Sequence, residues 1–293
     1  MPPRSQPSER QRRLGTELKK LRLAAGLPGD KAATFINADR QRISNIEAGR
    51  VDVPRNGLYA LLRAYGCPEG PLFDGLMAMA QERGNGWWDG YAGLMSRSAL
   101  DLAELESGAS SVHVHEPLLV PGLLQTADYT RAVCETSGDP ATAIDSYVEF
   151  RLARQEVLGA TDGIEYHTVV HEGALHTRAG SARTMRRQLQ RLIELAREPN
   201  ITIQVFPFEA GTFSAFSRAF ALFGGATCEL DTVRLEQPVR NVILHDDEHL
   251  RRYSALFERL TQLALAPVDP NARPESHEGR DSLSLIQHLL YAL

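Results

Sequence analysis

The stretch "RQRISNIEAGR", residues 40–50, decides how the amino-terminal part of the sequence folds. Ile43 and Ile46 lie three positions apart, so a helix places both of them on one face. Asp39, just before the stretch, is of a type that caps helices through its carboxylate, and Gly49 is of a type that ends them. The other side chains carry mostly hydrogen-bonding groups. The stretch therefore predicts a short helix with one narrow buried face and a polar remainder.

Four further helices are predicted around this one, from the helical spacing of apolar residues and from the glycines that follow a last turn. They span residues 14–25, 30–36, 55–65 and 71–83. Asn37 falls in the sharp turn before the third helix, where the chain needs a left-handed backbone that Asn tolerates. The expected core of this five-helix bundle consists of Ile43, Ile46, Leu58, Leu61 and Leu62.

The amino-terminal half of the third helix presents side chains of the kinds that read DNA bases. These outward-facing residues are Arg40, Gln41, Ser44 and Asn45. In the major groove, Arg pairs with guanine O6 and N7, Gln and Asn pair with adenine N6 and N7, and Ser is permissive. Arg42 and Arg50 are placed to contact phosphate. The alternative is an ordinary solvated helix face, but the spacing of all five helices favours a helix that reads DNA.

The distribution of charge indicates a polyanionic partner for this segment. Residues 1–63 contain 13 Lys and Arg against 6 Asp and Glu, whereas the rest of the chain contains 19 against 31. A basic segment joined to an acidic one is typical of a chain whose first part meets nucleic acid. Residues 1–13, rich in Pro, Ser and Arg, are predicted to form a flexible basic arm. No apolar run is long enough to span a membrane.

Residues 14–66 resemble the helix-turn-helix of the Xre, Cro and phage-repressor superfamily. The motifs that carry the resemblance are "LRLAAGL", Ala33, Asn37, "RQRISNIEAGR" and "LLRAYG", in the order and spacing of that family. The resemblance implies that the helix over residues 40–48 enters the major groove. It also implies an ion pair between Arg22 of the first helix and Glu47 of the third.

The start of the second helix departs from the pattern of that superfamily. Its members commonly have a polar cap and a Gln that contacts phosphate, whereas this sequence has Pro28 and Gly29. Backbone N–H groups at the amino terminus of a helix bind phosphate without any side chain. The N–H of Gly29 or Asp30 is therefore expected to replace that contact.

The sequence beyond residue 83 changes from short helices to alternating strands and helices. The predicted fold is a mainly α, five-helix, Xre/Cro-like helix-turn-helix domain over 14–83, joined to a larger α+β domain over 84–266. A polar linker and a carboxy-terminal helix are predicted over 267–293. Within the larger domain, Pro121 is expected to open a helix at its first position. Trp87 and Trp88, beside a Gly-rich hinge, are interpreted as core residues rather than as a docking spot.

Several histidine patterns invite a metal or enzyme interpretation that the sequence context disfavours. "HDDEH", residues 245–249, matches the H-x-x-E-H pattern in which two His of one helix hold zinc. Here His245 ends an apolar strand, and the acidic residues after it fit the first turn of a helix. The remaining candidates are His113, His115, His167, His171 and His176. They are interpreted as structural residues, so we expect no metal, no cofactor and no enzymatic activity.

Nearly the whole chain resembles a family of actinobacterial regulators of the WhiJ type, in which an Xre-like domain is fused to a domain of otherwise unknown function. The motifs that carry this resemblance are "GWWDGYAGL", "LVPGLLQTADYTRA", "RLARQEVL", "HEGALH", "RRQLQRLIELAREPNITIQVFPFEAG" and "LFERLTQLAL". The resemblance implies regulation together with a small protein partner encoded nearby. Some members of the family are antitoxin-like.

These features together predict a cytoplasmic, nucleoid-associated transcription regulator that binds double-stranded DNA. A homodimer formed through the acidic domain is expected to read a two-fold symmetric operator in the major groove. The alternative is an antitoxin or adaptor that mainly binds a small protein and uses DNA binding to regulate its own operon. An enzyme in the second domain is the least favoured interpretation.

Overall fold

The computed structural model describes residues 6–81, 86–138, 140–159, 163–211, 218–237, 241–271 and 280–293. The chain divides into two compact units. The first unit comprises Met1–Gly108 and a later segment, Gly225–Leu230, and the second comprises Ala109–Gly224 and Asp231–Leu293. The predicted boundary between residues 83 and 84 lies inside the first unit.

The first unit contains the five predicted helices, followed by a sixth. They are α1 (Glu9–Ala24), α2 (Gly29–Thr34), α3 (Arg40–Glu47), α4 (Arg55–Ala64), α5 (Pro71–Gln81) and α6 (Arg97–Gly108). All five predicted core residues are confirmed: Ile43, Ile46, Leu58, Leu61 and Leu62 are each at most 3% exposed. The mainly α helix-turn-helix fold predicted for this part of the chain is therefore confirmed.

Helix α1 begins at Glu9, earlier than the sequence pattern predicted. The cause is a capping box, in which Ser8 accepts from the backbone N–H of Gln11 and the Gln11 side chain accepts from the N–H of Ser8. The predicted flexible arm over 1–13 is therefore wrong for its last five residues, and the part of it over 1–5 lies outside the described residues.

Helix α6 packs against α1 through ion pairs that use the basic residues of the expected arm. Arg10 Nε lies 2.7 Å from Glu104 Oε1, and Arg12 Nη2 lies 3.7 Å from Asp101 Oδ2. Burial raises the pKa of Asp101 to about 6, even though Arg97 on the same helix lies within 3.0 Å and opposes the shift. These basic side chains are thus part of the folded unit.

Helices α1 and α3 approach each other so closely that only glycine fits at two points. A Cβ atom added to Gly15 would lie 2.7 Å from the carbonyl oxygen of Ile46, and one added to Gly49 would lie 2.8 Å from the backbone of Gln11. Gly49 also has a φ of 70°, and Asn37 has a φ of 50° in the turn before α3, as predicted. The two glycines let the backbones of α1 and α3 touch.

The predicted pair of Arg22 and Glu47 is confirmed, and it joins the same two helices. Arg22 Nε donates to Glu47 Oε1 at 2.5 Å, and Nη2 donates to Oε2 at 2.9 Å. A third bond runs from Arg22 Nη1 to the carbonyl oxygen of Leu27 at 2.8 Å. Both side chains are almost buried, at 11% and 10% exposure. The Glu47 hydrogen bond is the main reason that the pKa of Arg22 is raised.

A segment from much later in the sequence completes the first unit. Leu230 is 5% exposed and lies in the same hydrophobic core as Leu58 and Leu76. Arg13 Nη2 donates to the carbonyl oxygen of Glu229 at 2.5 Å. This segment has no helical or strand periodicity, so its membership of the helical unit could not be predicted from the sequence.

The second unit is built on one mixed sheet of six strands. They are β1 (Ser111–Glu116), β2 (Glu165–His171), β3 (Ile201–Phe206), β4 (Phe220–Gly224), β5 (Thr232–Leu235) and β6 (Val242–Leu244). Their order is β3-β2-β1-β4-β5-β6. The pairings β1–β2 and β2–β3 are parallel, and the pairings β1–β4, β4–β5 and β5–β6 are antiparallel. The α+β class predicted for this domain is confirmed.

Within the described residues, the second unit also contains six α-helices. They are α7 (Ala127–Thr136), α8 (Ile144–Gly159), α9 (Glu172–His176), α10 (Ala182–Leu195), α11 (Asp247–Leu263) and α12 (Ser282–Ala292). Helices α7 and α8 lie between β1 and β2 in the sequence, and α9 and α10 lie between β2 and β3. The parallel half of the sheet is therefore made of two consecutive β-α-β crossovers.

Two sequence predictions for residues 84–266 are wrong. Pro121 precedes a single 3-10 turn, Gly122–Leu124, and α7 starts only at Ala127, because Gln125 is extended and the side chain of Thr126 caps the helix. Trp87 is 40% exposed, so it is not a core residue. Its ring instead packs edge-on against Trp88, with centroids 6.0 Å apart.

Two half-buried histidines lie between the sheet and α11. His113 and His167 are register partners on β1 and β2, and their rings lie 4.9 and 5.1 Å from the ring of Phe257. His167 Nε2 is 2.7 Å from Gln204 Oε1. Burial lowers the pKa of both histidines. These residues therefore pack as neutral aromatic rings, which agrees with the structural interpretation made from the sequence.

Removal of Glu47 is expected to destabilise the first unit. In Glu47→Ala, Arg22 would keep its buried charge without a counter-charge, which costs roughly 3–5 kcal/mol, less where water reaches the site. The control is Glu69→Ala, which breaks the exposed Arg63–Glu69 pair, worth about 1 kcal/mol or less. Urea unfolding, followed by circular dichroism, checks the difference. Equal stability losses in the two variants would contradict a structural role for the pair.

Acidification is expected to destabilise the second unit. Burial lowers the pKa of His113 and His167 below the ordinary value of 6.5, so the unfolded chain binds more protons than the folded one as the pH falls below 6.5. Stability is present above that pH and is lost below it. His113→Phe keeps a ring against Phe257 and should flatten the pH dependence of urea unfolding. His288→Gln, at an exposed position of α12, is the control; identical pH slopes in all three proteins would disprove the assignment.

Candidate nucleic-acid interface

The two isoleucines of α3 fix which of its faces points outward. Ile43 and Ile46 are 2% and 3% exposed within the helical core. The helix starts where predicted, because the Asp39 carboxylate accepts from the backbone N–H of Arg42 at 2.7 Å. Both isoleucines point into the core, and the other residues of α3 before Glu47 all have polar side chains.

The predicted base-reading residues all lie on this short helix. Arg40, Gln41, Arg42 and Ser44 are exposed, and Asn45 is half-buried. The backbone carbonyl oxygen of Asn45 accepts from the N–H of Arg50 at 2.8 Å, which ties the loop after α3 to its last turn. Arg50 itself is exposed. The fold therefore presents these six side chains at, or directly after, one helix.

Gly29 lies beside the first residue of α3. A Cβ atom added to Gly29 would lie 3.5 Å from Cγ of Arg40, so the Arg40 side chain runs close to the start of α2. Pro28 precedes α2 and makes no side-chain capping bond. The start of α2, where the Gly29 N–H is predicted to contact phosphate, therefore lies next to the aliphatic part of the Arg40 side chain at the start of α3.

The arginines of the first unit fall into two groups by their ion pairing. Arg10 and Arg22 have carboxylate partners within 2.7 Å. Among the described residues, Arg40, Arg42 and Arg50 have no carboxylate within the 4.0 Å of an ion pair. Lys19, Lys31 and Arg55 likewise have no ion pair among the described residues. The positive charge left without a contacting carboxylate, which attracts a polyanion, therefore lies at α3 and also at these three side chains.

Sequence reasoning missed the glycine contact that orients this helix. Gly15 occupies the middle of α1, where glycine costs stability relative to alanine. An isolated glycine inside a helical pattern is a signal of close packing. The glycine was visible in the sequence, but an isolated glycine does not show which segment of backbone packs against it.

The metal-like pattern at residues 245–249 is a helix cap. Asp246 accepts from the backbone N–H of His249 at 3.1 Å and lies 2.7 Å from its Nδ1, and α11 begins only at Asp247. The two histidines of the pattern therefore do not share a helix. In the described part of the chain, no group of three or more His, Cys, Asp or Glu is arranged to hold a metal ion.

Comparison with protein families supports the division into two parts. Residues 13–73 match the model of a helix-turn-helix domain, and residues 99–271 match the model of a domain of unknown function, DUF5753. Neither a curated protein nor a solved structure matches the chain. Among the described helices, none has both the length and the apolar composition needed to cross a membrane. The second match covers more than half of the 293 residues, so the chain belongs to the family of proteins that carry the DUF5753 domain.

Proposed function

We propose that this protein is a sequence-specific, DNA-binding transcription regulator of the Xre/Cro type. The observation that carries the proposal is the outward face of α3 together with Arg50 just after it. They combine three arginines without ion pairs and three hydrogen-bonding side chains over two buried isoleucines. The match of residues 13–73 to a helix-turn-helix domain supports DNA as the ligand of this face.

In this proposal α3 lies in the major groove and reads base edges. Arg40, Gln41, Ser44 and Asn45 supply the base contacts, since their side chains match the donors and acceptors of guanine and adenine. Contacts with phosphate are made by Arg42, Arg50 and the backbone N–H of Gly29. The pair between Arg22 and Glu47 does not touch DNA and holds α3 on α1.

The second unit is proposed to form a homodimer and to receive a signal. A two-fold dimer reads two half-sites about one helical turn apart, about 34 Å, on a symmetric operator. The proposal places the protein in the cytoplasm, on the nucleoid, and gives its second unit no catalytic role. The likeness to WhiJ-type actinobacterial regulators favours a small protein partner as one source of the signal.

DNA affinity is expected to fall with salt. Each phosphate contact releases counterions, so the logarithm of the binding constant should fall with a slope of about −0.9 per phosphate contacted. Arg50→Ala should flatten that slope by about one contact. The control is Arg63→Ala, which removes an exposed arginine of α4 that pairs with Glu69. Fluorescence anisotropy on operator DNA between 50 and 300 mM salt measures the slopes, and a salt-independent affinity would refute the interface.

Sequence preference is expected to change only when base-reading side chains are removed. Gln41→Ala and Asn45→Ala should each relax the preference at one base pair of each half-site, because a bidentate contact carries about 1–3 kcal/mol of discrimination. Arg50→Ala should weaken all sequences alike. Binding-site selection with wild type and each variant gives the preferred sequences. A selected sequence that is the same for wild type and Gln41→Ala, or that lacks two-fold symmetry, would contradict the groove placement or the dimer.

A further inference from the structure

Helices α8, α7 and α10 form a layer on one face of the sheet in the second unit. Helices α7 and α8 belong to the crossover from β1 to β2, and α10 belongs to the crossover from β2 to β3. Because the two crossovers step in the same direction along the sheet and share one handedness, their helices cover the same face. Helix α7 packs against both α8 and α10, so it is the middle member of the three.

The exposed side of α8 is an acidic stripe. Its exposed side chains are Asp145, Glu149, Leu152 and Glu156. Their spacing of four, three and four residues aligns them along one side of the helix. Asp145 forms an ion pair with Arg131 of α7, whereas Glu149 and Glu156 have no ion-pair partner within the described part of the chain. The stripe therefore offers two free carboxylates with one exposed leucine between them.

The exposed side of α10 is basic over most of its length. Residues 173–193 contain five Arg and no Asp or Glu. Within α10, Arg183, Arg186 and Arg187 are exposed. Arg187 Nη1 lies 2.8 Å from Asp128 Oδ2 of α7, whereas Arg183 and Arg186 form no ion pair with any described residue. This side of the layer therefore offers two free guanidinium groups.

The two sets of free charges lie on opposite sides of α7. Each outer helix is tied to α7 by one ion pair, through Asp145 of α8 and Arg187 of α10. An exposed Glu194 ends the basic part of α10. The outward surface of the layer therefore changes from negative at α8 to positive at α10.

Such a surface is complementary to a second copy of itself. When two copies face each other about a two-fold axis that runs along α7, α8 of each copy lies over α10 of the other. Under this symmetry each contact occurs twice, because the same patch is used by both subunits. The free carboxylates of each copy then meet the free guanidinium groups of its partner, and the planar guanidinium group matches a carboxylate in bidentate geometry.

The charge pattern favours a second copy over DNA or an unrelated protein. DNA attracted to α10 would also meet the free carboxylates of α8 in the same layer, which repel it. The second unit as a whole has 17 Arg, no Lys and 23 Asp and Glu, so it is a poor surface for a polyanion. An unrelated protein would need both stripes in the reverse arrangement, whereas a second copy has that arrangement by symmetry.

We infer that the α8–α7–α10 layer is the surface through which two copies of this chain form a two-fold dimer. The inference rests on the proposed homodimer of the second unit and names its interface. Exposed ion pairs are individually weak and are screened by salt, so the dimer is reversible and dissociates as salt is added. Charge complementarity mainly fixes which surfaces meet and in which orientation.

The test measures the dissociation constant of the dimer by sedimentation equilibrium, with the full chain and without DNA. A basic-stripe variant carries Arg183→Glu and Arg186→Glu, and an acidic-stripe variant carries Glu149→Arg and Glu156→Arg. A combined variant carries all four substitutions, so its stripes are again complementary with their roles exchanged, and its formal charge equals that of wild type.

The control carries Arg252→Glu and Arg259→Glu on α11, where both arginines are exposed. It changes the net charge by the same amount as the basic-stripe variant but leaves the layer unaltered. All substitutions are at exposed positions, so circular dichroism should show the same folded state in every protein.

Wild type is expected to dimerise, with a dissociation constant at least about tenfold higher in high salt than in low salt. In low salt each stripe variant should dimerise at least about tenfold more weakly than wild type, because every cross-dimer attraction becomes a repulsion. The combined variant should recover the affinity of wild type, and the control should stay close to it.

A wild type that remains monomeric at all concentrations would overturn the inference. So would equal weakening in the basic-stripe variant and the control, or a combined variant that stays as weak as the stripe variants. A dimer that none of these substitutions affects would refute this interface and leave both the proposed homodimer and the DNA reading intact. Failure to bind operator DNA by a protein that dimerises as expected would instead refute the proposed function.

Discussion

The backbone contact between α1 and α3 is the constraint on which the proposed DNA-reading surface depends. Gly15 and Gly49 remove the two side chains that would push the helices apart, and the bidentate pair of Arg22 and Glu47 closes the same junction. Ridge-into-groove packing of ordinary side chains keeps helix axes about 8–10 Å apart and tolerates small rotations. Direct backbone contact tolerates much less. The orientation of α3, and with it the direction of each polar side chain, follows from this junction.

That junction also explains how a helix of eight residues is stable with so little apolar surface. Isolated helices of this length do not persist in water. Two buried isoleucines, the Asp39 cap and the Glu47 pair together replace the wide apolar face that a surface helix normally needs. The polar residues between them therefore do not need to stabilise the helix. The outward face of α3 can carry polar side chains because the stability of the helix comes from contacts at its two ends and from one narrow apolar stripe.

The sequence was sufficient where the signal is local. Short-range chemistry explains the positions of Asp39, Asn37 and Gly49. The spacing of the two isoleucines correctly predicted the buried face of α3. The errors arose where the determining partner is distant in the sequence. Nothing local to residues 9–13 reveals that α6 carries carboxylates for them. After Pro121, the helix is delayed because Arg151 and Gln155 of the distant helix α8 hold the extended residue Gln125. The interpretation of the base-reading residues themselves stays a prediction, since geometry shows their exposure and not their ligand.

The segment Gly225–Leu230 makes the DNA-binding unit discontinuous along the chain. Burying a leucine side chain contributes about 1.5–3 kcal/mol, so Leu230 is a substantial part of a small helical core. During synthesis on the ribosome, β1 to β4 must all be made before this leucine is available to the helices that appeared first. The amino-terminal helices therefore reach their full stability late in translation. In the proposed function, binding of an operator by α3 is thereby delayed until most of the DUF5753 domain has been made.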